Sequence, residues 1–195
     1  MIRAFSFVLL CLSLAACTMG YGDKLDPSLV QSLKVQQVSV TVPPNATFWW
    51  GDAERAYARS IGRSELEADA LGRTPEGRDY MRRLASERIK AAFEGELVGK
   101  VNGTRPVRVE VVMHDINVAS AIQRILVGGN YSMKATANLV DARTGQVIAS
   151  NSNLSTAVPA GNGILGAALD PAFGEPIDRL AGNLASSYRT WLLNM

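Results

Sequence analysis

Both cysteines of this chain, Cys11 and Cys17, fall within its first seventeen residues. Everything after residue 17 must therefore fold without a disulfide or a thiolate ligand, on the strength of its apolar core alone. The leader that carries the two cysteines is itself distinctive. Met1-Ile2-Arg3 supplies one positive charge, and residues 4–14 are apolar except for Ser6 and Ser13. Leu14-Ala15-Ala16 then places small residues before Cys17. A basic start, a short apolar stretch and small residues ahead of a cut site describe a secretory signal peptide. The apolar stretch falls well short of the ~20 residues a helix needs to cross a bilayer.

Leu14-Ala15-Ala16-Cys17 resembles the lipobox of bacterial lipoproteins, in which the cysteine sulfur is acylated and the cysteine becomes the mature N-terminus. This resemblance implies a signal peptide over 1–16 and lipidation, palmitate included, at Cys17. A tether over 17–33 and a single domain over 34–195 would follow. One acyl chain holds a protein to a membrane only marginally, whereas two or more anchor it stably. A body of this length buries about 70% of its unfolded surface and needs no covalent staple. The net charge of +2, with both signs interspersed, argues against nucleic acid and against a polybasic membrane patch. Export would also separate the chain from nucleotides, so no cofactor is expected.

Periodicity predicts an α+β fold: an antiparallel or mixed sheet of about four strands, packed on one face by two to three helices in the order β-α-α-β-β-β-α. The first strand is predicted over 34–42, where Val38, Val40 and Val42 alternate with Ser39 and Thr41 and Pro43-Pro44 ends the run. A helix over 52–71, broken near Gly62, follows. A second helix opens with Thr74 as cap and Pro75 in its first turn, and Met81, Leu84, Ala85, Ile89 and Ala92 form its apolar stripe. Val107, Val109, Val111 and Met113 predict a strand buried on one face. Residues 131–141 alternate again, and Asp141-Ala142-Arg143-Thr144-Gly145 reads as a hairpin turn into a partner strand over 146–158. The polar middle of that strand, 150–153, suggests an exposed edge or a bend. Ile177, Leu180, Ala181, Leu184, Tyr188, Trp191 and Leu192 mark a last amphipathic helix.

Candidate chemistry is sparse. Gly161-Asn162-Gly163-Ile164-Leu165-Gly166 matches G-x-G-x-x-G, but Pro171 interrupts any following helix and no later strand closes a βαβ unit, so nucleotide binding is not expected. A single histidine, His114, and no mature thiol cannot build a His/Cys metal site. Glu65, Glu67 and Asp69 sit in a charged, alanine-rich context that reads as a solvated face. Arg78, Arg82 and Arg83 likewise read as surface. No catalytic residue is assigned and the chain is expected not to be an enzyme.

Two apolar features remain. Phe48, Trp49 and Trp50 cannot all face one core if extended. They either cap a sheet edge from a loop or meet a membrane interface or partner. Ile164, Leu165 and Leu169 lie in a Gly- and Ala-rich loop, either packed back on the domain or facing a partner or lipid.

Asn102-Gly103-Thr104-Arg105-Pro106-Val107, Gly128-Gly129 and the stretch from Val140 to Val147, together with the lipobox, resemble a group of small alphaproteobacterial lipoproteins classed as a domain of unknown function. The strand, Asp-Ala-x-Thr-Gly, strand pattern is also similar to relatives of the curli-secretion lipoprotein and of the N-terminal domain of the Tol-system periplasmic protein. These families imply accessory or assembly roles and lend no catalytic residues. By resemblance to proteobacterial sorting rules, Thr18 after the lipidated cysteine favours the periplasmic side of the outer membrane over the inner membrane. The expectation is a lipid-anchored, non-catalytic accessory lipoprotein that docks an envelope protein. The alternative is a small-molecule or lipid-binding module lidded by the Gly-rich loop.

Overall fold

Prolines 43 and 44 shape one edge of the sheet. Strand β1 (Leu33–Thr41) ends just before them, and the chain loops out through residues 42–46, closed by the Ala46 N–H on the Pro43 carbonyl at 3.0 Å. It then returns as β2 (Thr47–Trp50). Proline has no N–H to continue a ladder, so the strand cannot run straight through. Both pieces pair in parallel with the same long strand, β3 (Arg105–Val118): Thr41 lies opposite Val112 and Thr47 opposite Asp115. Antiparallel strands β4 (Asn130–Asp141) and β5 (Val147–Pro159) complete a mixed five-stranded sheet, ordered β1-β3-β4-β5 with β2 continuing the β1 edge. The computed structural model describes residues 25–119, 130–159 and 174–194.

Parallel pairing of β1 with β3 demands a long crossover, and the helices supply it. Helix α2 (Gly51–Ser60), a single 3-10 turn (Glu65–Glu67), α3 (Ala68–Gly72) and the long α4 (Pro75–Leu97) run between β2 and β3. Thr74 caps α4 as its sequence predicts: its hydroxyl oxygen accepts the Gly77 N–H at 3.1 Å, and Pro75 stands in the first turn. The buried residues of α4 are Gly77, Met81, Ala85, Ile89, Phe93 and Leu97, one per turn. The last helix, α5 (Pro176–Leu193), buries Ile177, Leu180, Ala181, Leu184, Ala185, Tyr188 and Leu192. α4 covers β1, and α5 covers β4 and β5. Phe93 meets Tyr188 at 5.8 Å between ring centroids, where the two helices join over the sheet. Burial of each large apolar side chain here is worth ~1.5–3 kcal/mol. The sheet's other face carries Lys34, Ser39, Arg108, Glu110, Thr136, Asn138 and Ser150, all exposed or half-buried.

The expected fold class is therefore present: α+β, mixed sheet, helices on one face. Three details differ from the sequence reading. Phe48-Trp49-Trp50 belongs to a strand, not a loop. The helix predicted over 52–71 is split into three short pieces, with the chain turning at Gly62. The ordered body also starts before residue 34: α1 (Pro27–Ser32), capped by Asp26, precedes β1, and Leu25 at 2% exposure is part of the core. A tether reaching residue 33 is thus too long.

β-Bulges decide which residues face inward. Val107, Val109, Val111 and Met113 point to the helices, then His114 is the extra residue between Met113 and Asp115, and parity flips so that Ile116 and Val118 are buried instead. A similar slip at Gln36 keeps Leu33, Val35, Val38 and Val40 on one face. The polar middle of β5 is a third irregularity, because Asn151 pairs with Ala137 but Leu154 with Ala135.

Candidate functional site

The aromatic run is divided by the alternation of β2. Trp50 turns into the core at 4% exposure, and its buried indole N–H has no acceptor among the described residues. Trp49 is 44% exposed, and Phe48 is half-buried. Trp50 therefore serves packing, whereas Phe48 and Trp49 line a cleft of about 370 Å³ bounded by the 42–46 loop, α2, α3 and the first turns of α4.

The cleft joins an apolar wall to a charged rim. Pro44, Ala46 and Met81 extend the surface made by the two aromatics. Arg73, Arg78 and Arg82 face it from the helices, and Glu54 and Asp69 lie on the α2–α3 side. Arg73 Nη2 donates to Asp69 Oδ1 at 2.9 Å. Arg82 Nη2 donates to the Pro44 carbonyl at 3.2 Å, which ties α4 to the loop between β1 and β2. Burial, and then the nearby Asp69 charge, push the Glu54 carboxyl above its usual range, with Arg73 and Arg55 opposing the shift.

The remaining candidates are dispersed. Glu65 pairs with Arg59 at 2.6 Å, Glu67 with Arg63 and Asp69 with Arg73. Each carboxylate has its own guanidinium on an exposed or half-exposed surface, which is a row of surface ion pairs and not a coupled acid–base pair. His114 Nε2 lies 2.8 Å from Thr136 Oγ1 on the open face of the sheet, and His114 does not line the cleft. Among the described residues no group of three or more His, Cys, Asp or Glu is placed to hold a metal ion, and no helix is long and apolar enough to cross a membrane. Cys17, Ile164, Leu165, Leu169 and the G-x-G-x-x-G stretch lie outside the described residues.

Sequence reading found the aromatic wall but missed the rest of the cleft. The available signal was the i, i+4 spacing of Arg78 and Arg82, which puts two guanidiniums on one helix face. Nothing in the sequence brings that face to β2, since the contact depends on the loop between β1 and β2.

Residues 85–194 match the model of a family of unknown function, DUF6778. No curated protein matches the chain. Among solved structures, protein XCC0632 of Xanthomonas campestris, of family DUF330, shares 10% identity at a TM-score of 0.41, with 84% of this chain and 85% of that one covered. A PelC dodecamer from Paraburkholderia phytofirmans shares 12% identity at 0.34, covering 80% and 88% respectively. Lipoprotein GNA1162 of Neisseria meningitidis shares 16% identity at 0.28, covering 84% and 98%. At these values the resemblances transfer neither fold nor function. The family match spans α4 from Ala85 through all of β3, β4, β5 and α5, more than half of the sequence, so the chain belongs to the DUF6778 family of unknown function, as the resemblance to a domain of unknown function leads one to expect.

Proposed function

We propose that this chain is a lipid-anchored, non-catalytic accessory lipoprotein of the bacterial envelope. Acyl chains on Cys17 would hold it on the periplasmic face of the outer membrane while its α+β body docks an envelope protein. The observation that carries this reading is Leu14-Ala15-Ala16-Cys17 at the end of a short apolar leader. The early start of the body supports it. Leu25 belongs to the core, so the link from Cys17 spans at most about 30 Å at ~3.5 Å per residue. A body on so short a link works beside the bilayer. Phe48, Trp49, Ile164, Leu165 and Leu169 are its proposed contact residues.

The test is metabolic labelling with an alkyne palmitate analogue, followed by membrane flotation. The parent chain should take up label and float with outer-membrane fractions, and Cys17→Ser should lose the label and accumulate unprocessed. A Cys17→Ser chain that matures normally and still floats would sink the proposal. Turnover in an esterase, amidase or glycosidase panel would overturn the non-catalytic part.

A second reading, a small-molecule binding module, is favoured by the cleft beside β2. Its location differs from the one the sequence suggested. Val109, Met113, Leu139, Ile89 and Leu184, between sheet and helices, are fully buried.

A further inference from the structure

We propose that the cleft beside β2 binds a small organic monoanion, a carboxylate or sulfonate carried on a flat, ring-bearing apolar body. The inference rests on the second reading above and gives it a ligand class; it does not depend on lipidation.

Three features of the cleft define that ligand. The first is shape and polarity. Phe48 and Trp49 present aromatic surface beside Pro44, Ala46 and Met81, and a cleft of about 370 Å³ has the size of a small-molecule site. Trp49 keeps 44% of its surface open, enough ring face for a flat ligand to cover.

The second is an uncommitted guanidinium. Arg73 is engaged by Asp69, and Arg82 by Asp79 and the Pro44 carbonyl. The guanidinium of Arg78, one helical turn before Arg82, has no ion pair or hydrogen bond among the described residues. A planar guanidinium offers paired donors that match carboxylate and sulfonate oxygens.

The third is net charge. Three guanidiniums face two carboxylates, Glu54 and Asp69, across the cleft. Arg73 and Arg82 are each paired with a carboxylate, Asp69 and Asp79, so Arg78 is the lining guanidinium left without one among the described residues, which suits a single negative charge. The acid side of the cleft disfavours a dianion such as sulfate or a phosphate monoester.

The test uses the full-length chain in phosphatidylcholine nanodiscs, with naphthalene-2-sulfonate as probe and heats of empty discs subtracted. Calorimetry should show saturable one-to-one binding. The neutral naphthalene-2-sulfonamide and inorganic sulfate should each bind about tenfold or more weakly, the first for want of charge and the second for want of a ring. Arg78→Gln should reduce the sulfonate to the affinity of the sulfonamide, and Arg78→Lys should retain part of the difference. Trp49→Ala should weaken both naphthalene ligands. Arg78 and Trp49 lie at the surface, so unchanged thermal melts are expected of these variants. No saturable heat above empty discs, equal binding of sulfonate and sulfonamide, or an Arg78→Gln chain that binds like the parent would overturn the proposal. Failure of the anchoring proposal would show instead in the palmitate label and would leave these titrations readable.

Discussion

Arg105, the first residue of β3, donates from both Nε and Nη2 to a single oxygen, Oδ2, of Asp141, the last residue of β4, at 3.0 and 2.8 Å. The other carboxylate oxygen accepts the backbone N–H groups of Arg143 and Thr144 at 2.9 and 3.0 Å. One side chain thus clamps the end of a strand pair and shapes the hairpin that follows, where Gly145 adopts φ 75°.

This clamp makes stability pH-dependent in a defined window. The Arg105 hydrogen bond, followed by those from Thr144 and Arg143, lowers the Asp141 pKa to about 2. Because the folded-state value lies below the unfolded one of ~3.9, the contribution is complete above that value and is lost as pH falls through about 2. Urea midpoints should therefore drop between about pH 4 and 2. Asp141→Asn should lower the midpoint at pH 7 and flatten that acid limb. An unchanged acid limb in Asp141→Asn would assign the drop to other carboxylates.

Gly103 stands where α1 meets the entry to β3. Its N–H donates to the Leu33 carbonyl at 2.6 Å, and an added Cβ would lie 2.3 Å from the Ser32 carbonyl carbon and oxygen. The obstacle is backbone, which cannot swing aside as a side chain can. Gly103→Ala should destabilise the fold by about 1–3 kcal/mol, measured by urea denaturation. The loss should come with local loosening of α1, visible as faster amide exchange at Val30. A stability equal to the parent would mean that α1 does not hold its place against residue 103.

Tyr188 carries a fully buried hydroxyl with no hydrogen-bond partner among the described residues, and burial pushes its pKa well above the ordinary phenol value. Its ring is held between Phe93 and Trp191, with centroids at 5.8 and 5.3 Å. Tyr188→Phe removes only the unpaired group and should stabilise the fold by about 1 kcal/mol. Tyr188→Ala removes the ring as well and should cost ~3–5 kcal/mol. Opposite signs for the two variants in thermal melts check the argument, and a destabilising Tyr188→Phe would reveal a partner for the hydroxyl.

The elements themselves were legible because each wrote its period into the chain. Thr74-Pro75 announced the start of α4, the stripe from Ile177 to Leu192 announced α5, and Asp141 to Gly145 announced the β4–β5 turn. What periodicity mishandled were the irregular points. Ile116 and Val118 follow an extra residue at His114, so a strict alternation from Val107 assigns them to the wrong face. Phe48-Trp49-Trp50 is too short to display a period of two, and its pairing with β3 is a contact between residues far apart in sequence.

Local sequence thus determined the long periodic elements, α4, α5 and the strands β1, β3, β4 and β5, with the cap of α4 and the β4–β5 turn, and that the body folds without thiols, because those choices depend on neighbours within a turn or two. Tertiary structure alone decided that β1 and β2 share one edge of β3, that Trp50 is buried while Trp49 is open, and that Arg78 and Arg82 overlook the aromatic pair. Such outcomes follow from long-range parallel pairing and from helix placement over the sheet, interactions whose energy lies between distant residues and leaves no repeating pattern along the chain.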